Sequence, residues 1–335
     1  MTGLLILNSA FVLLGLLALY LGGHFLVAGA ASLARRFNVP VIVVGLTVVA
    51  FGTSAPELFV SLISAWQGLM SVSVGNVIGS NIINIALILG LTSLVRPMTA
   101  SRKTAMVDTP IMLGTYGVLA FAAVNRRSAE DFISGGTIMH WEGVVMIALL
   151  VVYLYSLYRY ARNRSLDELE EIPVDEIPEE PQGRLIVLFL KVIGGAAGLA
   201  IGGQLLVNGA SWIAENVFGA SERFIGITIV ALGTSLPELI TSMVAVIRGE
   251  MDISLGNIIG SNIFNSLMVL GATAIIRTIN IGDTNFVTDF SYMVGVSVAL
   301  FAILAIFRRL PRWGGAMLVA SYGVYFLYLL QTRTI

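Results

Sequence analysis

The chain of 335 residues is 57% hydrophobic and only 12% charged, whereas a soluble domain of this length would carry about a quarter charged residues. Its formal net charge of −1 gives no reason to expect a nucleic-acid partner, and its lack of cysteine excludes disulfide bonds and thiolate metal sites. Apolar runs of about 20 residues recur along the chain and predict an all-α polytopic membrane protein in the lipid bilayer, because lipid offers no partner for free backbone groups.

Ten transmembrane helices are predicted along the chain. The first and the sixth are longer than the ~20 residues that a span requires, which indicates that both are tilted in the membrane. The connection between the fourth and the fifth is polar. The predicted spans cover residues 4–33, 40–66, 70–95, 104–125, 139–160, 184–214, 221–247, 252–276, 287–307 and 313–331.

An acidic segment, residues 161–183, divides the predicted spans into two groups of five. It holds eight acidic residues between Asp167 and Glu180 together with three prolines, a composition typical of a solvated linker. The same acids could instead gather Ca2+ at low affinity. The chain is therefore predicted to consist of a first five-helix repeat (1–160), this acidic linker and a second five-helix repeat (184–335).

The distribution of Lys and Arg predicts how the chain is oriented in the cell inner (plasma) membrane, since cytoplasmic connections carry an excess of both. With the N-terminus outside, 14 of the 19 basic residues fall on the cytoplasmic side and 5 fall outside. Both termini are then outside and the acidic linker is cytoplasmic. Because each half has an odd number of spans, the halves are predicted to be inverted repeats, as in secondary transporters that bind substrate at the membrane midplane.

One stretch of sequence occurs twice. Residues 45–90 and 226–271 align without a gap at a constant offset of 181, and 24 of the 46 positions are identical. Each copy carries a helix-interrupting motif in mid-span, GTSAPEL at 52–58 and GTSLPEL at 233–239. The proline lacks an N–H and clashes with the preceding turn, so backbone carbonyls are freed that a bound cation could satisfy. The carbonyls expected to be free lie near Ala50, Thr53, Ala231 and Thr234.

Glu57 and Glu238 are the only acidic residues predicted at mid-depth in the membrane. A charge there costs at least a few kcal/mol, so the default interpretation is a buried functional site. Ser54 and Ser235 stand three residues earlier and match the capping box S-x-x-E, in which both side chains only satisfy backbone donors. We expect the serines to cap helices while the glutamates bind a cation.

A second polar motif follows in each copy, GNVIGSNIIN at 75–84 and GNIIGSNIFN at 256–265. Its G-x-x-x-G spacing allows close helix approach. Positions i, i+4 and i+8 lie on one helix face, so four side chains are predicted to face the glutamates as ligands: Ser80, Asn84, Ser261 and Asn265. Four further amides are expected to hold helices together, with ligation as the alternative: Asn76, Asn81, Asn257 and Asn262.

Carboxylate, amide, hydroxyl and carbonyl oxygens suit hard cations such as Na+ and Ca2+, and not zinc or copper. Two carboxylates neutralise one Ca2+, or the same cage holds several Na+. Ca2+ and the set of Na+ exclude each other from this cage. The empty cage is costly to reorient, because its two like charges face each other in a low dielectric. Together these properties predict an obligatory exchange of cations.

The paired motifs resemble the α-repeats of the sodium/calcium exchanger family, within the cation/Ca2+ exchanger superfamily, and in particular its bacterial and archaeal members. The resemblance implies Na+-driven Ca2+ transport by alternating access, with the first and sixth spans sliding against a core of the other eight. It implies Na+ and Ca2+ as substrates, with no cofactor and no obligatory protein partner. The implied ion-site residues are Ala50, Thr53, Ser54, Glu57, Ser80, Asn84, Ala231, Thr234, Ser235, Glu238, Ser261 and Asn265.

Position 265 is where the chain departs from some members of that family, which carry Asp there in connection with K+ use. Both halves here carry Asn, which predicts K+ independence. The proton-driven branch usually lacks the TS-x-PEL spelling, so Na+ is favoured as the coupling ion. An antiporter that exchanges H+ for Ca2+, or for another divalent cation, is the alternative.

Functions other than transport fit the sequence poorly. An intramembrane protease needs a serine with a base or two aspartates in spans, and His24 and His140 have no carboxylate at ligand spacing. Both histidines are expected to serve in packing or at interfaces. A scaffold or receptor would give no reason for two acids in mid-membrane.

Overall fold

The computed structural model describes residues 2–68, 70–123, 136–163, 184–218, 231–281 and 285–333. These residues are helical almost throughout. The α-helices are α1 (Thr2–Arg36), α2 (Val41–Val44), α3 (Ala50–Thr53), α4 (Ala55–Trp66), α5 (Met70–Ile82), α6 (Gly90–Val95), α7 (Thr109–Ala123), α8 (His140–Asn163), α9 (Leu185–Asn216), α10 (Ala231–Thr234), α11 (Leu236–Ile247), α12 (Met251–Phe264), α13 (Leu270–Ile276), α14 (Asn285–Phe307) and α15 (Arg312–Arg333).

Four π-helical turns interrupt the helices in the described part of the chain, and such turns are frequent at functional sites. Two of them contain equivalent positions of the repeat, because Asn84 lies in the second turn and Asn265 begins the fourth. The turns are π1 (Gly45–Val49), π2 (Ile83–Leu89), π3 (Thr104–Asp108) and π4 (Asn265–Val269).

Among the described residues, eight helical stretches are long and apolar enough to cross a membrane, and the bent pair Val41–Thr53 and Ala55–Trp66 gives a ninth. They correspond to nine of the ten predicted spans. The predicted seventh span, 221–247, is described only from residue 231, where α10 and α11 form its second part. Most of the acidic linker also lies outside the described residues. The count of ten therefore stays a prediction.

The two long helices α1 and α9 run antiparallel and touch through glycines. Gly15 faces Gly202, Gly22 faces Gly195, and Gly209 faces the backbone of Asn8. A Cβ on Gly22 would lie 2.8 Å from the Gly195 carbonyl oxygen. Only glycine lets two helix backbones approach this closely. Glycines recur at seven-residue spacing on both helices, so this contact has a signal in the sequence outside the repeated stretch.

The buried apolar side chains form two clusters. The larger one fills the interior around α5, α7, α8, α12, α13 and α14. The smaller one lies at the α1–α9 pair and includes Leu26, Val27, Ala30, Leu188 and Leu199. The smaller cluster also includes Val44, Val49, Ala245 and Ile253, so the long pair packs on the broken span and on α11 and α12.

Within the described ranges, two short β-ribbons connect the halves of the chain. β1 (Met98–Thr99) pairs with β4 (Arg309–Leu310), and β2 (Thr137–Ile138) pairs with β3 (Ile279–Asn280). β1 and β3 are related by the same offset of 181 as the repeated stretch, so the duplication extends beyond residues 90 and 271. The helices that carry Gly-Ser-Asn, α5 at 79–81 and α12 at 260–262, are called the GSN helices. Each ribbon pairs the segment that follows the GSN helix of one half with a loop of the other half.

Candidate cation-binding site

The GTS-x-PEL motif breaks the helix in both copies, as predicted. In the first copy α3 ends at Thr53 and α4 begins at Ala55, and the stretches before and after Ser54 differ in direction by 44°. In the second copy α10 ends at Thr234 and α11 begins at Leu236. Each glutamate therefore stands in the first turn of a helix, where the helix dipole favours negative charge.

The expected capping role of the two serines is wrong. Neither Ser54 nor Ser235 makes a side-chain cap hydrogen bond to its helix. The Ser54 hydroxyl instead donates to Oε1 of Glu238 at 3.3 Å, and the Ser235 hydroxyl donates to Oγ of Ser80 at 3.2 Å. The buried carboxylate competes with the helix N-terminus for the serine hydroxyl. The contact with the carboxylate is favoured, because hydrogen bonds to charged groups are stronger than those between neutral groups.

Both glutamate side chains are completely buried. Ser80 Oγ lies 3.4 Å from Oε1 of Glu57, and Ser261 Oγ lies 3.4 Å from Oε1 of Glu238. These two contacts are equivalent under the offset of 181. Each half therefore builds the same glutamate–serine pair from its own two motifs.

The halves then meet through their threonines. Thr53 Oγ1 lies 3.0 Å from Oδ1 of Asn257 and 3.3 Å from Oγ of Ser261. Its counterpart Thr234 donates to Oδ1 of Asn76 at 3.5 Å. The GTS motif of each half thus contacts the second motif of the other, and the two copies form one site.

Four buried asparagines cross between the halves next to this cluster. Asn84 Nδ2 donates to Oδ1 of Asn262 at 2.9 Å, and Asn265 Nδ2 donates to Oδ1 of Asn81 at 3.1 Å. The earlier residue of each helix meets the later residue of the other, so the two GSN helices cross antiparallel. Each has a β-ribbon after its C-terminal end, and the two ribbons therefore lie at opposite ends of the molecule.

Four oxygens of the site find no hydrogen-bond partner among the described residues. They are Oε2 of Glu57 and of Glu238, and Oδ1 of Asn84 and of Asn265. Buried polar groups are almost always paired, and leaving one unpaired costs about 1–3 kcal/mol, or more for a charged group. The four form two symmetric pairs with two formal negative charges, an oxygen set that suits a hard cation.

The backbone carbonyls agree less well with expectation. The Ala50 carbonyl is not free, because it accepts from the N–H of Ser54 at 2.9 Å and from Oγ1 of Thr53 at 3.3 Å. In the second copy the Ser235 N–H donates to the carbonyl of Leu232 at 3.2 Å, one residue after Ala231. The carbonyls of Ala50 and Leu232 therefore find local donors although the helix is broken.

A further buried acid lies near the start of the fourth predicted span, apart from the two acids predicted at mid-depth. Asp108 is completely buried in π3, and Lys103 Nζ lies 2.5 Å from its Oδ1. The equivalent acid of the second half, Asp289, accepts a hydrogen bond from the hydroxyl of Tyr325 at 2.8 Å. Asp108 and Asp289 are also related by the offset of 181, so extending the alignment past residue 271 would have found them.

The two histidines lie away from this cluster. His140 Nδ1 is 2.7 Å from the carbonyl oxygen of Ala274, near the C-terminal end of α13. His24 accepts from the guanidinium of Arg248, with Nη2 2.6 Å from Nε2. Both therefore make contacts between helices and are not ligands of the site.

Comparison with known proteins matches both halves of the chain to one family. The model of the sodium/calcium exchanger protein family matches residues 7–159 and 187–331. The chain is 35% identical to the inner membrane protein YrbG of Escherichia coli, over 97% of this chain and 96% of that protein. It is 29% identical to the sodium/calcium exchanger MaX1 of Methanosarcina acetivorans, over 96% and 98% of the two chains.

The fold is similar to that of a solved structure. The sodium-calcium exchanger NCX_Mj, in a crystal soaked with zero Na+ and Ca2+, superposes with a TM-score of 0.79 at 29% identity. The match covers 97% of this chain and 99% of that one.

Proposed function

This chain belongs to the sodium/calcium exchanger family, whose members are antiporters and not enzymes, and on that premise we propose that it exchanges Na+ for Ca2+ across the cytoplasmic membrane without K+. The observation that carries the proposal is the set of four unpartnered oxygens on Glu57, Glu238, Asn84 and Asn265. Two carboxylates balance the charge of one Ca2+, and amide oxygens are ligands that Ca2+ accepts.

The hydroxyls around the carboxylates complete the proposed cage and offer Na+ subsites. Na+ and Ca2+ are the transported substrates, and neither a cofactor nor a protein partner is invoked. The proposed ion-site residues are Ala50, Thr53, Ser54, Glu57, Ser80, Asn84, Ala231, Thr234, Ser235, Glu238, Ser261 and Asn265. Ala50 would contribute as a carbonyl that already accepts two hydrogen bonds.

Obligatory exchange follows from the charge of the empty cage. Two ionised carboxylates in a dry interior repel each other, and each loses the hydration that it would have in water. A bound Ca2+ or a set of Na+ removes this penalty. The loaded protein can therefore change conformation, whereas the empty protein is held back.

Two inverted five-helix repeats, 1–160 and 184–335, are the architecture that we propose, with ten spans in all. The antiparallel α1–α9 pair and the antiparallel crossing of the GSN helices support it. The linker 161–183 is then cytoplasmic and both termini are outside, in accordance with the Lys and Arg distribution. The cell inner membrane is the proposed location.

Alternating access is proposed to use the α1–α9 pair as the moving body. Most residues of the smaller apolar cluster belong to this pair, and the contact between its two helices is built on glycine. α9 also contacts the broken span, since a Cβ on Gly52 would lie 3.3 Å from Cβ of Ala196. A shift of the pair along the core would therefore change the packing against the GTS motif.

Exchange of H+ for Ca2+ is the second candidate, and one relative favours it. The chain is 25% identical to the Ca(2+)/H(+) antiporter ChaA of Bacillus subtilis over 289 residues. Two buried carboxylates could carry protons in place of Na+. The TS-x-PEL spelling in both halves favours Na+.

Substitution of the glutamates tests the proposed site. In proteoliposomes, Glu57→Gln and Glu238→Gln should each abolish Ca2+ uptake driven by an outward Na+ gradient, because either change removes one of the two charges that balance Ca2+. Glu215→Gln, which changes an exposed glutamate near the end of α9, is the matched control and should transport normally. Normal uptake by either site variant would refute the proposed ligand set.

A further inference from the structure

We propose that Asn81 and Asn262 are positioning residues that orient the amides of Asn265 and Asn84, so that the carbonyl oxygens of these two amides face the transported cation. The proposal rests on the proposed function, because it assigns a role toward the same site. The sequence alone favoured these two residues as links between helices, without a part in ion binding.

The hydrogen bonds divide the four asparagines into two classes. Asn84 and Asn265 each donate a hydrogen bond from Nδ2 to an asparagine of the other half, at 2.9 and 3.1 Å. The Oδ1 atom of each has no hydrogen-bond partner among the described residues. A side-chain amide carries its NH2 donor and its carbonyl acceptor on the two sides of one planar group. Fixing the NH2 group therefore fixes where the carbonyl oxygen points.

Asn81 and Asn262 have both ends of the amide occupied. Asn81 Nδ2 donates to Oγ of Ser266 at 3.2 Å, while its Oδ1 accepts from Asn265. Asn262 Nδ2 donates to the hydroxyl of Tyr116 at 3.1 Å, while its Oδ1 accepts from Asn84. These outer partners hold each acceptor in place, so neither amide can turn over without losing two hydrogen bonds.

The orientation matters because an amide that turned by 180° would present its NH2 group to the cation. Donor hydrogens repel a cation that the carbonyl oxygen would attract. Asn81 belongs to the first half and orients Asn265 of the second, and Asn262 orients Asn84 in the reverse sense. Each half therefore aims the ligand of the other, and both amides are oriented only when the halves are docked.

A double-mutant cycle on the purified full chain tests this crossed pattern. Asn81→Leu keeps the size of the side chain and removes the acceptor, and it should weaken Ca2+ binding about tenfold. In an Asn265→Ala background the same change should have no further effect, whereas in an Asn84→Ala background the tenfold loss should remain. Asn262→Leu should give the mirror result, coupled to Asn84→Ala and additive with Asn265→Ala.

Two readouts separate positioning from packing. Ca2+-dependent thermal stabilisation in detergent gives the affinity without transport, and radiolabelled Ca2+ uptake should show a raised KM with kcat within about twofold of wild type. If a leucine variant does not fold, Asn81→Ala and Asn262→Ala pass through the same cycle. The proposal would be overturned if the effects of the leucine changes on Ca2+ affinity were additive with both Asn84→Ala and Asn265→Ala, or if that affinity were unchanged. A wild-type chain that Ca2+ does not stabilise would instead count against the proposed function.

Discussion

The hydroxyl of Ser54 lies 3.3 Å from Oε1 of Glu238, so the helix break of the first half donates to the glutamate of the second half. The Ser261 hydroxyl is 3.4 Å from the same oxygen. Glu57 accepts from Ser80, and Ser80 in turn accepts from Ser235. The two halves thus support their glutamates differently, despite nearly equivalent sequences.

This difference predicts unequal effects of two equivalent serine substitutions. Ser54→Ala removes a direct donor to Glu238 and should raise the KM for Ca2+ about tenfold, since a hydrogen bond to a charged group is worth about 1.5–3 kcal/mol. Ser235→Ala leaves the Ser80–Glu57 contact in place and should raise KM about threefold or less. Initial rates of Ca2+ uptake in proteoliposomes measure both.

Ser156→Ala is the control, because Ser156 donates only to the nearby carbonyl of Tyr153 among the hydrogen bonds of the described chain. Its KM should equal that of wild type. Equal effects of Ser54→Ala and Ser235→Ala would show that the asymmetry of these contacts has no functional weight.

The contact between α1 and α9 predicts opposite outcomes for two neighbouring glycines. A Cβ on Gly195 would lie 2.6 Å from the backbone nitrogen of Leu26, whereas a Cβ on Gly194 would meet nothing within 4 Å. Gly195→Ala should force the helices apart, lower the unfolding free energy by about 1–3 kcal/mol and slow exchange. Gly194→Ala should leave both unchanged.

Thermal unfolding in detergent and exchange rates in proteoliposomes, measured on both variants, test the helix contact. A Gly195→Ala protein as stable and as fast as the Gly194→Ala protein would contradict the close approach of these helices.

The asparagines at positions 84 and 265 predict that Na+-driven Ca2+ exchange does not require K+. With two carboxylates and two neutral amides, the proposed cage would balance the charge of one Ca2+ without a further monovalent cation. Na+-driven Ca2+ uptake should therefore proceed at the same rate when choline replaces K+ on both sides. Asn265→Asp adds a third carboxylate and should lower this K+-free rate at least tenfold, because the excess charge remains buried. Strict K+ dependence of the wild type would refute the assignment.

The Lys103–Asp108 pair predicts a stability effect that leaves ion binding intact. Lys103→Met leaves the buried carboxylate of Asp108 without its partner and should cost about 3 kcal/mol or more. The double variant Lys103→Met/Asp108→Asn removes both charges and should recover most of that loss. Thermal unfolding measures the cycle, and a Ca2+ KM equal to wild type in the double variant would place the pair outside the transport site. A double variant whose unfolding free energy is as low as that of Lys103→Met would contradict the pairing.

The sequence predicted the parts of the site that depend on local chemistry. Pro56 and Pro237 had to interrupt their helices, and glutamates in uncharged spans had to be buried and clustered. The duplication at a fixed offset predicted that Glu57 and Glu238 would share one site. The spacing of Ser80 and Asn84 placed them on the same helix face.

What the sequence could not provide depends on how the halves dock. The capping box of Ser54 is a local pattern, but a glutamate from the other half competes for the same hydroxyl. The use of Asn81 and Asn262 is decided by cross-half hydrogen bonds, and no spacing within one helix encodes those.

Other features were visible in the sequence but lay outside the aligned stretch. They are the glycines of α1 and α9 and the second pair of repeated acids, Asp108 and Asp289.

Ca2+ uptake by wild-type proteoliposomes under separately imposed Na+, H+ and K+ gradients tests the central claim most directly. An outward Na+ gradient should drive radiolabelled Ca2+ inward, with no uptake when choline replaces Na+ and no change when K+ is added. Neither a pH gradient nor a K+ gradient of equal size should drive uptake without Na+. Uptake that follows the pH gradient and ignores Na+ would contradict the account and establish exchange of H+ for Ca2+ instead.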